Sequence, residues 1–415
     1  MRVCVVDPSL FTLAYDMHLC AGLADAGLDV TLCGRRLRAD EVVEPDGIAY
    51  EARCYPRTER GDVQSGRNAS PWMKAVEHVM QLRSLGRWLH QDFDVIHFQW
   101  SPVPAVDRFM WRRLARDRTV VFTVHDTTPF LGQPTHRAQM IGWRGLLDEA
   151  HGLIVHTEGS RQTLAGLGVP AEKIEVVPHG PLTPRASVPE PRRDPGEVGR
   201  RTLLVFGEIK PYKGIDVLLR AVARLPREIA SQWRVLIAGR PRCDLAELRA
   251  LAADAGMPVE FRLGFVPDGE VPALFGGADL VVFPYRQIDA SGALMLALPF
   301  GVPVVASRVG VFGESLEDGV TALLANPGDE LDLARALERA MSDPTLRARL
   351  ALNAKAHAAR TSSWAAIGRT HADIYRKHLD ARRGNRTARV EPTVRQTEGV
   401  PMEAGVALGR EGDRP

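Results

Sequence analysis

Lysine is nearly absent from this chain: of 53 basic residues only six are Lys. Arg carries the rest of the positive charge, so each Lys position is informative. No long basic run accompanies the net charge of +2, which argues against a nucleic-acid partner, because such binding needs a concentrated cationic patch. Cysteine is also scarce. The five residues, Cys4, Cys20, Cys33, Cys54 and Cys243, form no CxxC pair and are odd in number. That usage excludes a disulfide framework and points to a reducing, cytoplasmic setting. No apolar run approaches the roughly 18 residues of a membrane span. Met1 leads directly into Arg2–Asp7 with no charged segment followed by an apolar one, so no signal peptide is expected. GxGxxG, GxxxxGK[ST] and HExxH are all missing. Their absence removes the usual support for a dinucleotide cofactor, a P-loop or a bound metal.

What is present is an alternation of strands and helices. A chain of 415 residues is too long for one ordinary core, and two domains of about 150–200 residues are the natural division. Short Val/Ile/Leu-rich runs at 2–7, 29–34, 94–99, 119–126, 152–157 and 174–180 alternate with helical patterns. Such runs, buried on both faces, indicate a parallel sheet covered by helices. A Pro- and Arg-rich stretch, 184–200, then breaks the pattern and reads as a linker. The alternation resumes with runs at 202–207, 234–239, 259–264, 279–284 and 302–307. This predicts an α/β protein of two Rossmann-like, doubly wound domains, 1–183 and 201–361, facing each other across a cleft. Helical patterns follow at Glu330–Ser342 and Pro344–Arg360, then an amphipathic stretch over 362–380. From 381 to 415 Arg, Gly, Glu and Pro dominate, a composition that predicts disorder.

Two loops at strand ends carry the candidate chemistry. FGEIKPYKGID (206–216) places Lys210 and Lys213 between Gly207 and Gly214. Ammonium groups beside a diphosphate stabilise the charge that grows on a leaving group; a solvated loop is the plain alternative. The second loop, PYRQIDASGALMLALPFG (284–301), ends at Ser291–Gly292 and opens into a helical run. Free N–H groups at a helix start favour an anion. In the first half, VFTVHDTTP (121–129) ends a buried strand with His125 and Asp126, either facing the crevice or tying down a loop. Asp92-Phe93-Asp94 imitates a metal-binding DxD but lies at the start of a strand, away from the crevice, and reads as a turn. His97, inside the same strand, reads as a packed core residue.

FGEIKPYKGIDVLLRA, VVPHG (176–180), LGFVPDGEVPALFGGADLVVFPY (263–285) and GVPVVASRVGVFGESLEDGVTALLANPGD (301–329) together resemble family 4 glycosyltransferases of the GT-B fold. SSWAAIGRTHADIYRKHL (362–379) is similar to that family's closing helix, which crosses back to the first domain. The resemblance is strong over the second domain and weaker, though co-linear, over the first.

The resemblance implies a nucleoside-diphosphate-sugar donor, UDP or GDP, bound by the second domain, with no metal and no other cofactor. The acceptor, a glycan, lipid-linked glycan or small metabolite, would enter from the first. Transfer would retain the anomeric configuration by front-face displacement, the leaving phosphate taking the acceptor's proton. Lys213 matches the family lysine. The family's arginine position holds Glu208, leaving Lys210 as the substitute cation. The diphosphate is expected on Gly207, the two lysines and the amides of Ser291, Gly292 and Ala293, with the base near Phe265 and Val266. Asp289 takes the place of the first acid of the family pair, at the donor-sugar hydroxyls, and His125 that of a histidine near the same sugar. The ribose-binding second Glu becomes Leu296 or Ala297, neither able to accept a hydrogen bond. Ser9 and Thr12 stand in for the family's Gly pair after the first strand. A nucleotide-sugar epimerase or glycoside phosphorylase of the same fold, or a non-catalytic nucleotide-sugar-binding homologue, are the alternatives. The helical stretch Trp72–His90, with Lys74, Arg83 and Arg87, is either a plain surface helix or a peripheral membrane contact.

Overall fold

The structure, a computed structural model, describes residues 1–38, 41, 47–59, 70–129, 137, 140–182, 200–361 and 363–390. The 184–200 linker, apart from Arg200, and residues 391–415 lie outside the described residues.

The first domain is built on seven parallel strands: β1 (Arg2–Val6), β2 (Asp29–Arg35), β3 (Ala49–Cys54), β4 (Val95–Phe98), β5 (Thr119–Thr123), β6 (Gly152–Val155) and β7 (Ile174–Val176). Their spatial order is β3-β2-β1-β4-β5-β6-β7. Alternation along β1 feeds two separate cores. Val3 and Val5 pack with Leu19, Leu23 and Tyr375 on one face, whereas Cys4 and Val6 pack with Leu85, Leu89 and Trp111 on the other. The second domain has six parallel strands: β8 (Arg201–Phe206), β9 (Trp233–Gly239), β10 (Val259–Leu263), β11 (Leu280–Phe283), β12 (Val304–Ser307) and β13 (Leu323–Ala325). Their order is β10-β9-β8-β11-β12-β13. Leu203 and Val205 of β8 face one core and Leu204 the other.

Each order reverses direction once, between β1 and β4 in the first sheet and between β8 and β11 in the second. Loops leaving adjacent strands part there and open a crevice at the carboxyl ends. The two crevices face each other, and the segments that follow β1, β4, β8 and β11 enclose a common space.

Side chains of the second domain reach across to the first. Asp289 accepts hydrogen bonds from Thr127. Glu314 accepts from the N–H groups of Glu158 and Gly159 at 2.7 and 2.8 Å, capping the Glu158–Gly166 helix. The final helix, Trp364–Val390, packs on the first domain through Ile367, Ala372 and Tyr375. It crosses the Leu13–Asp25 helix where two glycines meet: a Cβ on Gly368 would lie 1.9 Å from the carbonyl oxygen of Gly22. Residues 381–390 are helical, not disordered as their composition predicts. Extending a docked helix avoids the cost of nucleation, and Arg382 Nε donates to Thr119 Oγ1 at 3.2 Å.

Candidate functional site

A cavity of about 530 Å³ lies between the facing crevices. Its first-domain wall consists of Phe11, Trp100, Asp126 and Thr128, from the segments after β1, β4 and β5. Its second-domain wall includes Glu208, Lys210 and Lys213 after β8, Arg286 and Asp289 after β11, and Gly310 after β12.

Lys213 is the most constrained of these groups. It ends a 3₁₀ turn, Pro211–Lys213, which closes on Gly214 at φ 63°. A Cβ on Gly214 would meet the Pro284 carbonyl oxygen at 2.0 Å, so the loop approaches β11 only with glycine there. Gly207, at φ +107°, serves the lysine directly, because a Cβ on it would lie 2.8 Å from Lys213 Nζ. The ammonium sits 5.2 Å from the centre of the Tyr285 ring. Burial lowers its pKa to about 8, with Glu208 opposing the shift.

Lys210 forms an ion pair with Glu208 at 3.0 Å, and Glu208 is shared with Arg242 at 2.6 Å. Burial alone would raise the Glu208 carboxyl, but Lys210 and Arg242 hold it below the usual carboxylate range. Lys210 therefore comes with its own counter-charge. Arg286 is committed as well: it donates to both oxygens of Asp216, at 2.8 and 2.6 Å, and to the Pro211 carbonyl at 3.0 Å. It fastens the lysine loop to the segment after β11.

Asp289 Oδ2 accepts from the Thr127 N–H at 2.5 Å and from its hydroxyl at 2.7 Å. The neighbouring Asp126 is half-buried and, among the described residues, its carboxylate takes no hydrogen bond. Burial pushes Asp126 up to about 7, with Asp289 adding to the shift and Lys210 opposing it.

His125 lies behind this wall. Its Nε2 is 3.0 Å from Gln99 Oε1 and its Nδ1 is 3.2 Å from His156 Nε2, while its ring stacks on Trp100 at 5.3 Å. Burial, reinforced by the neighbouring imidazoles, holds its pKa well below the ordinary histidine value. Asp126 therefore lines the cavity, and the neutral His125 supports Trp100. Ser291 is buried and caps its own helix, its Oγ accepting from the Leu294 N–H at 3.3 Å. Gly292 is exposed and Ala293 half-buried, both on the Gly292–Ala297 helix, next to the cavity-lining Ala290. Phe265 follows β10 and is exposed, and Val266 packs against the core of its domain. Leu296 is half-buried and Ala297 fully buried on the apolar side of that helix.

Ser9 and Thr12 are occupied locally: their N–H groups donate to Asp7 at 3.2 and 2.9 Å. Asp94 Oδ2 accepts from the Arg2 N–H at 2.9 Å, so Asp92-Phe93-Asp94 is a turn at the foot of β4. His97 is buried in β4 between Tyr375 and Thr123. Sequence reasoning missed Phe11 and Trp100. The only signal was an aromatic residue shortly after a buried strand, which is common.

Two family models match in tandem: Glycosyltransferase Family 4 over residues 15–181 and Glycosyl transferases group 1 over residues 188–357. The D-inositol 3-phosphate glycosyltransferase of Actinosynnema mirum is 34% identical over 335 residues, which span 72% of this chain and 78% of that one. The chain belongs to the family 4 glycosyltransferases. The enzyme of the same name from Pseudarthrobacter chlorophenolicus is 29% identical over 399 residues, 89% of this chain and 91% of that one. Against the Corynebacterium kroppenstedtii enzyme the match spans 57% of the relative's length, at 32% identity. Two solved structures share the GT-B fold. Sucrose-phosphate synthase from Thermosynechococcus elongatus has a TM-score of 0.69 at 17% identity, covering 92% of this chain and all (100%) of that one. Anabaena HepE, solved with UDP and glucose, has a TM-score of 0.67 at 20% identity, covering 91% and 100%. In this chain Glu208 is ion-paired with Lys210, and neither Leu296 nor Ala297 carries a polar side-chain atom.

Proposed function

We propose that this glycosyltransferase moves a sugar from a nucleoside-diphosphate donor, UDP- or GDP-linked, to an acceptor held by the first domain, with retention and without a metal ion. The observation that carries this reading is the Lys213 ammonium, buried beside Gly207 in a cavity that both domains enclose. A diphosphate placed between Lys213 and Lys210 gains its counter-charge at low dielectric, where it counts most as the glycosidic bond breaks. The base rests near Phe265 and Val266, and the Ser291–Ala293 turn contributes amides.

No described carboxylate is poised as a nucleophile on the donor wall: Glu208 is ion-paired and Asp289 is bonded to Thr127. This supports front-face displacement, with the acceptor's proton passing to the leaving phosphate. Closure through Asp289 and Glu314 limits water, and so donor hydrolysis. The test is transfer from UDP- and GDP-sugars in the presence of EDTA, with NMR of the product's anomeric coupling. An inverted product, or no donor turnover beside tight nucleotide binding, defeats the reading. Epimerisation of donor alone would favour the alternative enzyme class.

A cytoplasmic location with peripheral membrane contact is the second element we propose. The membrane contact rests on the exposed face of the Pro71–Asp92 helix, where Trp72 is 81% and Met80 66% exposed. Co-sedimentation with anionic vesicles, lost on Trp72→Ser with Met80→Ser, tests it.

A further inference from the structure

Charge is divided unequally between the two walls of the cavity. Among the described residues, every cationic side chain lining it, Lys210, Lys213 and Arg286, comes from the second domain. Among the described residues the first-domain wall offers two aromatic rings, one hydroxyl and one carboxylate: Phe11, Trp100, Thr128 and Asp126.

The aromatic pair is held rigidly. Asp7 accepts from the N–H groups of Ser9 and Thr12 and so folds the segment after β1 into a tight turn. Leu10 in that turn is buried at a left-handed φ of 49°, a conformation costly for a non-glycine residue. The strain delivers the next residue, Phe11, to the surface with 60% of its area exposed. Phe11 meets Trp100 edge-on at 4.9 Å. Trp100 is fixed in turn by its Nε1, which donates to Thr12 Oγ1 at 3.2 Å, and by stacking on His125. Strained backbone of this kind persists where the surroundings over-determine it, commonly at ligand sites.

From this wall we infer that the acceptor is an unphosphorylated sugar or cyclitol ring. Its C–H face packs on Phe11 and Trp100, and its hydroxyls donate to the unpartnered Asp126 carboxylate. The inference rests on the proposed glycosyl transfer and narrows it. It separates this chain from relatives named for inositol 3-phosphate, whose acceptor phosphate needs a cation. Among the described residues the first-domain wall holds no cation to offset Asp126 against an acceptor phosphate, and Lys210, whose charge reaches Asp126 from the other wall, is already paired with Glu208; like charges at short range in a half-buried site repel strongly. A polyol instead gives the carboxylate the hydrogen bonds it lacks. A ring on the aromatic shelf also removes apolar surface from water.

The experiment has two arms, both on the full chain. First, the protein is saturated with UDP, and inorganic phosphate or D-inositol 3-phosphate is added at about 10 mM while the melting midpoint is followed. Neither should stabilise the wild type, whereas Thr128→Arg, at an exposed position of the wall, should create a phosphate-dependent shift. Stabilisation of the UDP-bound wild type by either phosphate overturns the inference. If UDP does not bind, GDP takes its place in this arm, and failure to bind either nucleotide overturns the donor reading instead. Second, kcat/KM is compared for glucose against glucose 6-phosphate and for myo-inositol against D-inositol 3-phosphate. The unphosphorylated member of each pair should be favoured by roughly tenfold or more, with the ratio narrowed by Asp126→Asn and reversed by Asp126→Lys. Preference of the wild type for the phosphorylated members overturns the inference while leaving glycosyl transfer standing.

Discussion

Asp289 of the second domain and Thr127 of the first share two hydrogen bonds, from the threonine's N–H and from its hydroxyl, although 162 residues separate them. A side chain that the family resemblance implies at the donor sugar is thus seen to bridge the domains. Hydrogen bonds to a charged acceptor contribute about 1.5–3 kcal/mol each, enough to bias a two-state closure. Asp289→Ala should lower kcat by roughly 10–100-fold and enlarge the radius of gyration in small-angle scattering. Thr127→Val, which keeps the N–H, should cost less than about tenfold. An Asp289→Ala protein as compact and as fast as the parent would show that the bridge is incidental.

Lys213 sets function against stability. Its folded pKa of about 8 lies below the ordinary 10.5, so burial disfavours the ammonium. Folding is penalised below about pH 8, and the penalty is gone once the pH passes the unfolded value. A displacement of this size corresponds to an upper bound of roughly 3 kcal/mol at neutral pH. Lys213→Met should accordingly raise the melting midpoint at pH 7 by roughly 2–4 °C, with a smaller gain at pH 9.5. Turnover at saturating donor and acceptor should fall by at least about 100-fold. A variant that is destabilised at pH 7, or that turns over normally, would contradict this account.

The architecture was legible wherever burial was symmetrical. Runs such as TLLVFG and RVLIAG are apolar without interruption because helices cover both faces, and they became β8 and β9. The Glu330–Ser342 helix was readable to its ends, since Asp329 caps it and its apolar stripe is regular. β3, AYEARC, was not, because an edge strand with mostly exposed side chains shows no apolar run, and β13 is only three residues long. Within the site, Lys210, Lys213 and Asp289 were found because they lie inside segments with a family pattern. Phe11 and Trp100 were invisible, as only the reversal of strand order beside β1 brings them together. The His125–Asp126 pair was recognised, but which member faces the cavity depends on how the chain turns after β5.

Donor binding should be accompanied by proton uptake. Asp126 titrates near 7 and Lys213 near 8 in the unliganded protein. A diphosphate beside them disfavours the carboxylate and favours the ammonium, which raises both pKa values. At pH 7.5 UDP binding should take up roughly half a proton or more, measured by calorimetry in buffers of different ionisation enthalpy. Asp126→Asn should reduce the uptake and leave the Lys213 share. The same asparagine should stabilise the protein more at pH 8 than at pH 5. The raised carboxyl pKa means that folding is unpenalised below about pH 4, and the penalty grows until the folded value near 7 is passed. Binding enthalpies that are equal across buffers would rule out the coupling.

The glycine contact under the closing helix makes the last prediction. A Cβ on Gly22 would fall 2.1 Å from the Trp364 carbonyl oxygen, and one on Gly368 would fall 1.9 Å from that of Gly22. Both obstacles are backbone, so neither can rotate away, and the helices must separate. The cost should exceed the about 1–3 kcal/mol typical of an overpacked core, because separation also loosens Trp364. That indole donates to the Pro181 carbonyl at 2.8 Å and abuts Tyr15 at 5.2 Å, and Tyr15 touches the His125 ring at 5.0 Å. Gly368→Ala should therefore lower the melting midpoint, expose the 364–390 helix to limited proteolysis and weaken acceptor use more than nucleotide binding. Gly384→Ala, on the same helix with no described atom outside that helix within 4 Å of the new methyl, is the matched control and should be neutral or slightly stabilising. Equal behaviour of the two variants would show that the close crossing does not hold the helix in place.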